Sequence, residues 1–462
     1  MKTRPAHSAN FRRIVLVVFT VTIFSARVFA GVENDVTKAS VVGDGKTVNT
    51  AAIQKAIDDC AAAGGGTVRF PAGRYVTGTI ELKSNVVLHF DDQAVLLGST
   101  NPADYRNLDP FTDGSGNPLG HALVVAIDAD HVGMEGAGTL DGQGTALKAN
   151  ERSFTMRPFL VRLVRCTNVV VRDVHLTNPG AWTLNMFQSK DVLVENVTIR
   201  SRDGGLRNND GVNIDSCESV QVRGCDVVSG DDALVIKSTS PVPSSDIFAS
   251  DCKLSTKTNA IKLGTESYGG FENIRISNCQ VSDTKMAGIA LYNVDGGNLA
   301  NVTISNVTMD GVVVPISIRL GARLKTFRDG EQAKSAPGSL ANITIKNVNA
   351  KNVGWIGMLI NGVPGHDVGP LTLENIRIEV PGGGTVEEAK AQLKENEATY
   401  PEYDMFGKTM PAFGIYARHV NGITVKNVET VALKPDARPA TVFIDVKDAN
   451  PAHLVEQSTS DK

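Results

Sequence analysis

Apolar and polar residues alternate in a short phrase that recurs along the chain. It reads NVVVRDVHL (168–176), DVLVENVTI (191–199), SVQVRGCDV (219–227), DIFASDCKL (246–254), NIRISNCQV (273–281), NVTISNVTM (301–309) and NITIKNVNA (342–350). Weaker copies are NIRIEV (375–380) and GITVKNV (422–428). Alternation of this kind predicts strands with one buried face. The equivalent positions Val174, Val197, Cys225, Cys252, Cys279 and Val307 advance by 23, 28, 27, 27 and 28 residues, the spacing of a solenoid. Gly and Asn crowd the joints, where tight turns need positive φ. No helical stretch separates the copies, which excludes a βαβ array. The expected fold is therefore all-β, a single-stranded parallel β-helix in which each repeat is one coil. Equivalent residues should stack strand on strand, about 4.8 Å apart.

The open end of such a solenoid needs a cover. In TAAIQKAIDDCAAAGGG (50–66), Ile53, Ile57 and Cys60 share one helical face and Gly64 can end the helix. Residues 31–66 are expected to form an N-terminal cap and 67–450 one continuous β-helix domain, with 451–462 as a C-terminal tail. The segment GTVEEAKAQLKENEATYPEYDMFGK (384–408) breaks the repeat with a helix-like excursion, expected on the surface.

The basic lead MKTRPAHSANFRR, the apolar run IVLVVFTVTIFSA and the small residues Val28 and Ala30 predict a secretory signal over residues 1–30. The run is short for a membrane span. A secreted or periplasmic protein is expected, with no membrane contact after cleavage, and a monomer. Five of the 46 Lys and Arg and none of the 50 Asp and Glu precede residue 31, so cleavage leaves a net charge of −9. That balance gives no footing for nucleic acid. The six cysteines form no CxxC pair, which argues against zinc. Cys225, Cys252 and Cys279 should form an internal column of free thiols, since cysteine packs as a small apolar residue.

Chemistry is suggested by Asp231 and Asp232, side by side in SGDDALVIKS, and by Asp210 in RNNDGVNIDSC. Asp210 precedes them by 21 and 22 residues, about one coil, so the three carboxylates should converge on the outer wall. Their repulsion should raise at least one pKa, placing a general acid beside ionised bases. Glycoside hydrolysis asks for that set. Turn formation by Asp-Gly and Gly-Asp and calcium binding are the competing readings.

NNDGVNID and SGDDALVIKS resemble the Asn-x-Asp and Gly-Asp-Asp motifs of the polygalacturonase-type glycoside hydrolases (family 28). VVGDGKTVNTAAIQKAIDDCAAAGGGTVRFPAGRYVTGTIELKSNVVLHF (41–90), GTLDGQG (138–144), RPFLVRLVRCTNVVV (157–171) and NPGAWTLNM (178–186) extend the likeness over nearly all of the mature chain. The resemblance implies a right-handed β-helix that hydrolyses pectic polysaccharide or oligosaccharide with inversion, without a cofactor or metal. It implies Asp231 as general acid, Asp210 and Asp232 sharing the activation of water, and Asn208 orienting Asp210.

Two family motifs are altered. Asn259, in TNAIKLGTES, stands where a histidine is expected, and no histidine occurs between His175 and His366. The Arg-Ile-Lys motif that grips a galacturonate carboxylate is replaced by GIALY, with Ala290 and Tyr292 at the charged positions. Replacement charge could come from Lys237, Lys262 and Arg319. Ile236, Ile261, Ile289 and Ile318 precede them and Ala290 at intervals of 25, 28 and 29 residues, which predicts one outward column headed by Asp215. A structural charge ladder is the plain alternative; the functional one has Lys262 contacting an anionic sugar. Asn259 and Tyr292 join these as candidate substrate contacts, while Trp182 is expected to pack between coils. His366 is expected on a solvated loop, and His419 to be structural. A rhamnogalacturonan hydrolase or an exo-acting galacturonidase is the nearest alternative activity; a β-helical lyase and a non-catalytic binding protein lie further off.

Overall fold

The computed structural model describes residues 32–150, 156–203, 206–450 and 454–458. The expected signal segment and most of the expected tail lie outside the described residues. The chain winds into a right-handed parallel β-helix. One coil comprises strands Val212–Asp215, Glu218–Arg223 and Asp226–Ser229. The next comprises Leu234–Ser238, Ser244–Ser250 and Lys253–Thr256, each strand pairing in parallel with its counterpart one turn earlier. In later coils the corners are smooth enough for three strand directions to merge, as in Gly270–Asn293 and Asn298–Leu320.

Register turns the repeat into stacked columns. Lys253 opposes Asp226 and Gln280 opposes Lys253, which stacks Cys225, Cys252 and Cys279 before Val307, Val348, Ile376 and Val428 continue the column. Cys225, Cys252 and Cys279 are buried free thiols, as expected, and so are Cys60, Cys166 and Cys217. Each fully buried aliphatic side chain of this interior contributes about 1.5–3 kcal/mol. At the corners, Asn273, Asn301 and Asn342 hold φ near +56° to +59°, a conformation asparagine tolerates. Their amides join coil to coil, Asn301 donating to Asn273 at 3.2 Å and Asn342 to Asn301 at 3.4 Å.

The capping helix, α1 (Thr50–Ala62), buries Ile53, Ile57 and Cys60 as its pattern predicts. The residues around it also take part in the ladder: Val32–Asp35 pairs with Gly66–Phe70, and Asp44–Val48 with Gly73–Thr77. At the other end Leu454–Ser458 pairs with Ile423–Ala432. An antiparallel hairpin, Asn107–Thr112 with Pro118–Ile127, stands out from the early coils. The excursion at 384–408 holds only one short helix, α2 (Val386–Ala389), and a 3-10 turn at Tyr403–Phe406. It lies on the surface, as expected, and there it folds back across the outer wall. The cause is apolar: Leu393, Tyr403 and Phe406 pack against Leu359 and Tyr416, which project outward from the coils.

Candidate active site

Asp210, Asp231 and Asp232 lie on turns that feed the outward-facing strands Val212–Asp215 and Leu234–Ser238. The Gly211 N–H donates to Asp232 O (2.8 Å) and Ala233 N–H to Asn259 O (3.0 Å), so Asp210, Asp232 and Asn259 occupy one column, a coil apart. The acidic turn is shaped by hydroxyls, Ser229 and Thr256 both donating to Asp231 O at 2.5 Å. Gly230 is required there, because a Cβ would come within 2.4 Å of Asn209 Oδ1. The convergence expected from the spacing is present.

The three carboxyls differ in surroundings. Burial holds Asp231 above the usual carboxylate range and Asp232 beside it adds to the rise, against the pull of Lys262 and Lys237. Burial alone would raise Asp232 too, but Lys262 (Nζ–Oδ2 3.0 Å), Lys237 and the Asn259 amide (3.0 Å) outweigh it and leave Asp232 below the usual range. Asp210 is pushed well up, chiefly by burial and then by its two acidic neighbours, with Lys237 at 3.3 Å pulling the other way. The Thr258 hydroxyl lies 3.0 Å from Asp231 Oδ1 and 2.9 Å from Asp232 Oδ1. One hydroxyl has one proton to donate. Thr258 therefore shares that proton between the two carboxyls and holds them at a fixed separation, with Asp231 the readier of the pair to carry a proton of its own. An acid and a base thus stand side by side.

Several expected contacts take other parts. Asn208 does not orient Asp210: its amide donates to Asp231 Oδ2 (3.4 Å) while its carbonyl accepts from Arg157 Nη2 (3.0 Å). Asn259 is buried and holds Asp232, its Oδ1 accepting from Ala287 N–H (3.1 Å), so it is not a substrate contact. Lys262 is enclosed between Asp232 and Glu402 (3.3 Å), and Lys237 between Asp210 and Glu266 (3.5 Å) with its ammonium 3.9 Å above the Trp182 ring. Lys237 and Arg323 hold Glu266 down at about 2 although burial, the largest influence, would raise it. Tyr292 is fully buried with its hydroxyl donating to Ser317 Oγ (3.1 Å). Arg319 is used up by the carbonyls of Gly362, Glu395 and Asn396. Neither Tyr292 nor Arg319 reaches the opening above the acids.

The single column expected for Lys237, Lys262 and Arg319 is also corrected. Ile236 opposes Leu263, not Ile261, so Lys262 stacks on Val235 and before Ala290. Arg319 follows Tyr292 in the parallel column, and Asp215 opposes Lys237 at its head as expected. A slip of two residues keeps a side chain on the same face of a strand, so the outward direction was right and the column wrong. The Asp215 carboxylate is taken by Thr239 N–H (2.8 Å) and hydroxyl (2.7 Å). Trp182 packs against Phe111 and Phe159, as expected. His366 sits in a tight turn with Val363, and His419 is held between Asp445 (2.7 Å) and Glu395 (3.2 Å).

Thr258, Glu402, Glu266 and Arg157 are the site residues that sequence reasoning missed. Thr258 had a signal, since it follows Asp231 by 27 residues, one coil. Glu402 had none, because it arrives on the excursion outside the repeat.

The glycosyl hydrolases family 28 model matches residues 60–400. A probable polygalacturonase of Vitis vinifera is 26% identical over 363 residues, covering 73% of this chain and 72% of its own. An endo-polygalacturonase of Pectobacterium parmentieri is 25% identical, covering 71% and 84%. The solved structure of a hyperthermoactive exopolygalacturonase from Thermotoga maritima superposes with a TM-score of 0.64 at 24% identity, covering 75% of this chain and 87% of that one.

Proposed function

The chain belongs to glycosyl hydrolases family 28 and is an O-glycosyl hydrolase, and from that premise we propose that it is an exported monomer that cleaves galacturonate-containing pectic polysaccharide with inversion at the anomeric carbon. Asp231, protonated and at the opening, is the general acid: its proton goes to the glycosidic oxygen as the bond from that oxygen to the anomeric carbon breaks. Water attacks the same carbon from the opposite side and gives its proton to Asp232, which Lys262 keeps ionised; Asp210, which burial biases toward its protonated form, stands one coil behind it. The observation that carries this reading is the Thr258 hydroxyl bridging two carboxyls of opposite bias, Asp231 pushed toward its protonated form by burial and by Asp232, and Asp232 held toward its ionised form by Lys262.

The sugar beside the cut is open to a second reading. Ala290 and Tyr292 are buried, and Lys237, Lys262 and Arg319 are committed within the protein, so none of them is offered to a uronate carboxylate. That favours a rhamnogalacturonan, with a neutral sugar next to the scissile bond. Measuring new reducing ends on homogalacturonan and rhamnogalacturonan side by side decides between the polymers. Ultraviolet-absorbing unsaturated products would reveal a lyase, and no product from either polymer would leave a binding protein.

A further inference from the structure

A polymer cut within its length has to cross the outward face of the strands and leave at both ends. On the C-terminal side of the acids that face is covered. Arg319, Leu359, Tyr416 and Arg418 project outward from successive coils and all are buried. What buries them is the excursion between strands Leu371–Val380 and Ile415–Asn421. It is fastened through its backbone: Arg418 donates to the carbonyls of Leu393 (2.8 Å) and Lys394 (2.9 Å), and Arg319 to those of Glu395 (2.9 Å) and Asn396 (3.1 Å). The Ala322 N–H donates to Glu397 O at 2.8 Å. Leu393, Tyr403 and Phe406 fill the space beneath. The segment then delivers Glu402 to Asn259 (3.3 Å) and Lys262 (3.3 Å), beside the ionised Asp232.

We propose that this strap closes one end of the substrate groove, so that the enzyme takes chain ends, and that Glu402 is the specificity-determining residue at the closed end. The proposal rests on the hydrolase reading and adds how the polymer meets the acids. With the wall covered, a chain reaches Asp231 through the opening beside the strap, where Arg157, Asn208, Thr258 and Glu402 adjoin the acids and their partners. The side chain of Glu402 is 14% exposed, and its contacts with Asn259 and Lys262 leave acceptor capacity toward that opening. A carboxylate there accepts a hydrogen bond from the extra free hydroxyl that a terminal sugar carries and a residue in mid-chain lacks. It therefore selects a chain end over the middle of a polyuronate.

The test follows viscosity and product size against bonds cut, on homogalacturonan and rhamnogalacturonan. One small product from the earliest times, with viscosity falling only late, is the expected result. An early loss of viscosity with a ladder of oligomers would overturn the closed end while leaving the hydrolase intact. No reducing ends from either polymer would sink the hydrolase reading, and this one with it. In Glu402→Gln, KM should rise about tenfold with kcat within a few-fold, the loss of a charge-assisted contact to bound sugar. A fall in kcat at unchanged KM would put Glu402 behind Asp232 as a positioning residue and overturn its assignment.

Discussion

Lys262 is the most exacting residue to perturb, because one ammonium serves two buried carboxylates, Asp232 at 3.0 Å and Glu402 at 3.3 Å. Lys262→Met keeps the length of the side chain and removes its charge. Breaking a buried pair by deleting one partner costs about 3–5 kcal/mol. In a chain of this size that corresponds to a fall in Tm of roughly 3–5 °C. The loss should depend on pH. In the wild type Asp232 is held below the usual range, so its contribution is present above the unfolded pKa and fades as pH falls through the folded one. In the variant both carboxylates are left without their shared cation and take up protons more readily, so the deficit is largest near neutrality and shrinks in acid. The same change moves the acid limb of kcat/KM upward, since Asp232 must be ionised to activate water. Thermal melts and rate profiles across pH read both effects. An unchanged Tm, or a deficit equal at neutral and acid pH, would contradict the placement of Lys262; an unmoved acid limb would remove Asp232 as the base.

Further outcomes follow from the same geometry. Asp231→Asn should lower kcat about 10²–10⁴-fold and abolish the alkaline limb, with an unaltered circular dichroism spectrum; retained activity would remove Asp231 as the acid. Asn259→Ala removes a donor to Asp232 and leaves the Ala287 N–H unpaired, so it should cost about 1–3 kcal/mol in denaturant unfolding and shift the acid limb of the rate profile upward. Because Cys225, Cys252 and Cys279 are free thiols, a reductant should leave Tm unchanged, and a drop would reveal a disulfide.

How far the chain could be read without coordinates follows from its repeat. Alternation fixed which faces are buried, and separations of 21 and 22 residues, about one coil, placed Asp210 beside Asp231 and Asp232, because in a solenoid distance along the chain becomes height along the axis. The same arithmetic failed by two residues at Ile261, where a local phrase was matched instead of the coil length and Lys262 went to the wrong column. Glu402 was beyond its reach, since an excursion of some thirty residues has no period from which to read its landing point. Nor could alternation separate a charge facing substrate from one facing another buried charge. Lys237, Lys262 and Arg319 all point outward, and what encloses them comes from other segments of the chain: Glu266, Glu402 and the carbonyls of Glu395 and Asn396.

The central claim is that protonated Asp231 and ionised Asp232 cut a glycosidic bond from opposite sides in a single displacement. Proton magnetic resonance for the anomeric configuration, with mass spectrometry for isotope content, of the first product formed in water enriched in oxygen-18 tests it directly. The account predicts one heavy oxygen at the new anomeric carbon, in the configuration opposite to that of the bond cut. Retention of configuration, or an unsaturated product without heavy oxygen, would contradict it.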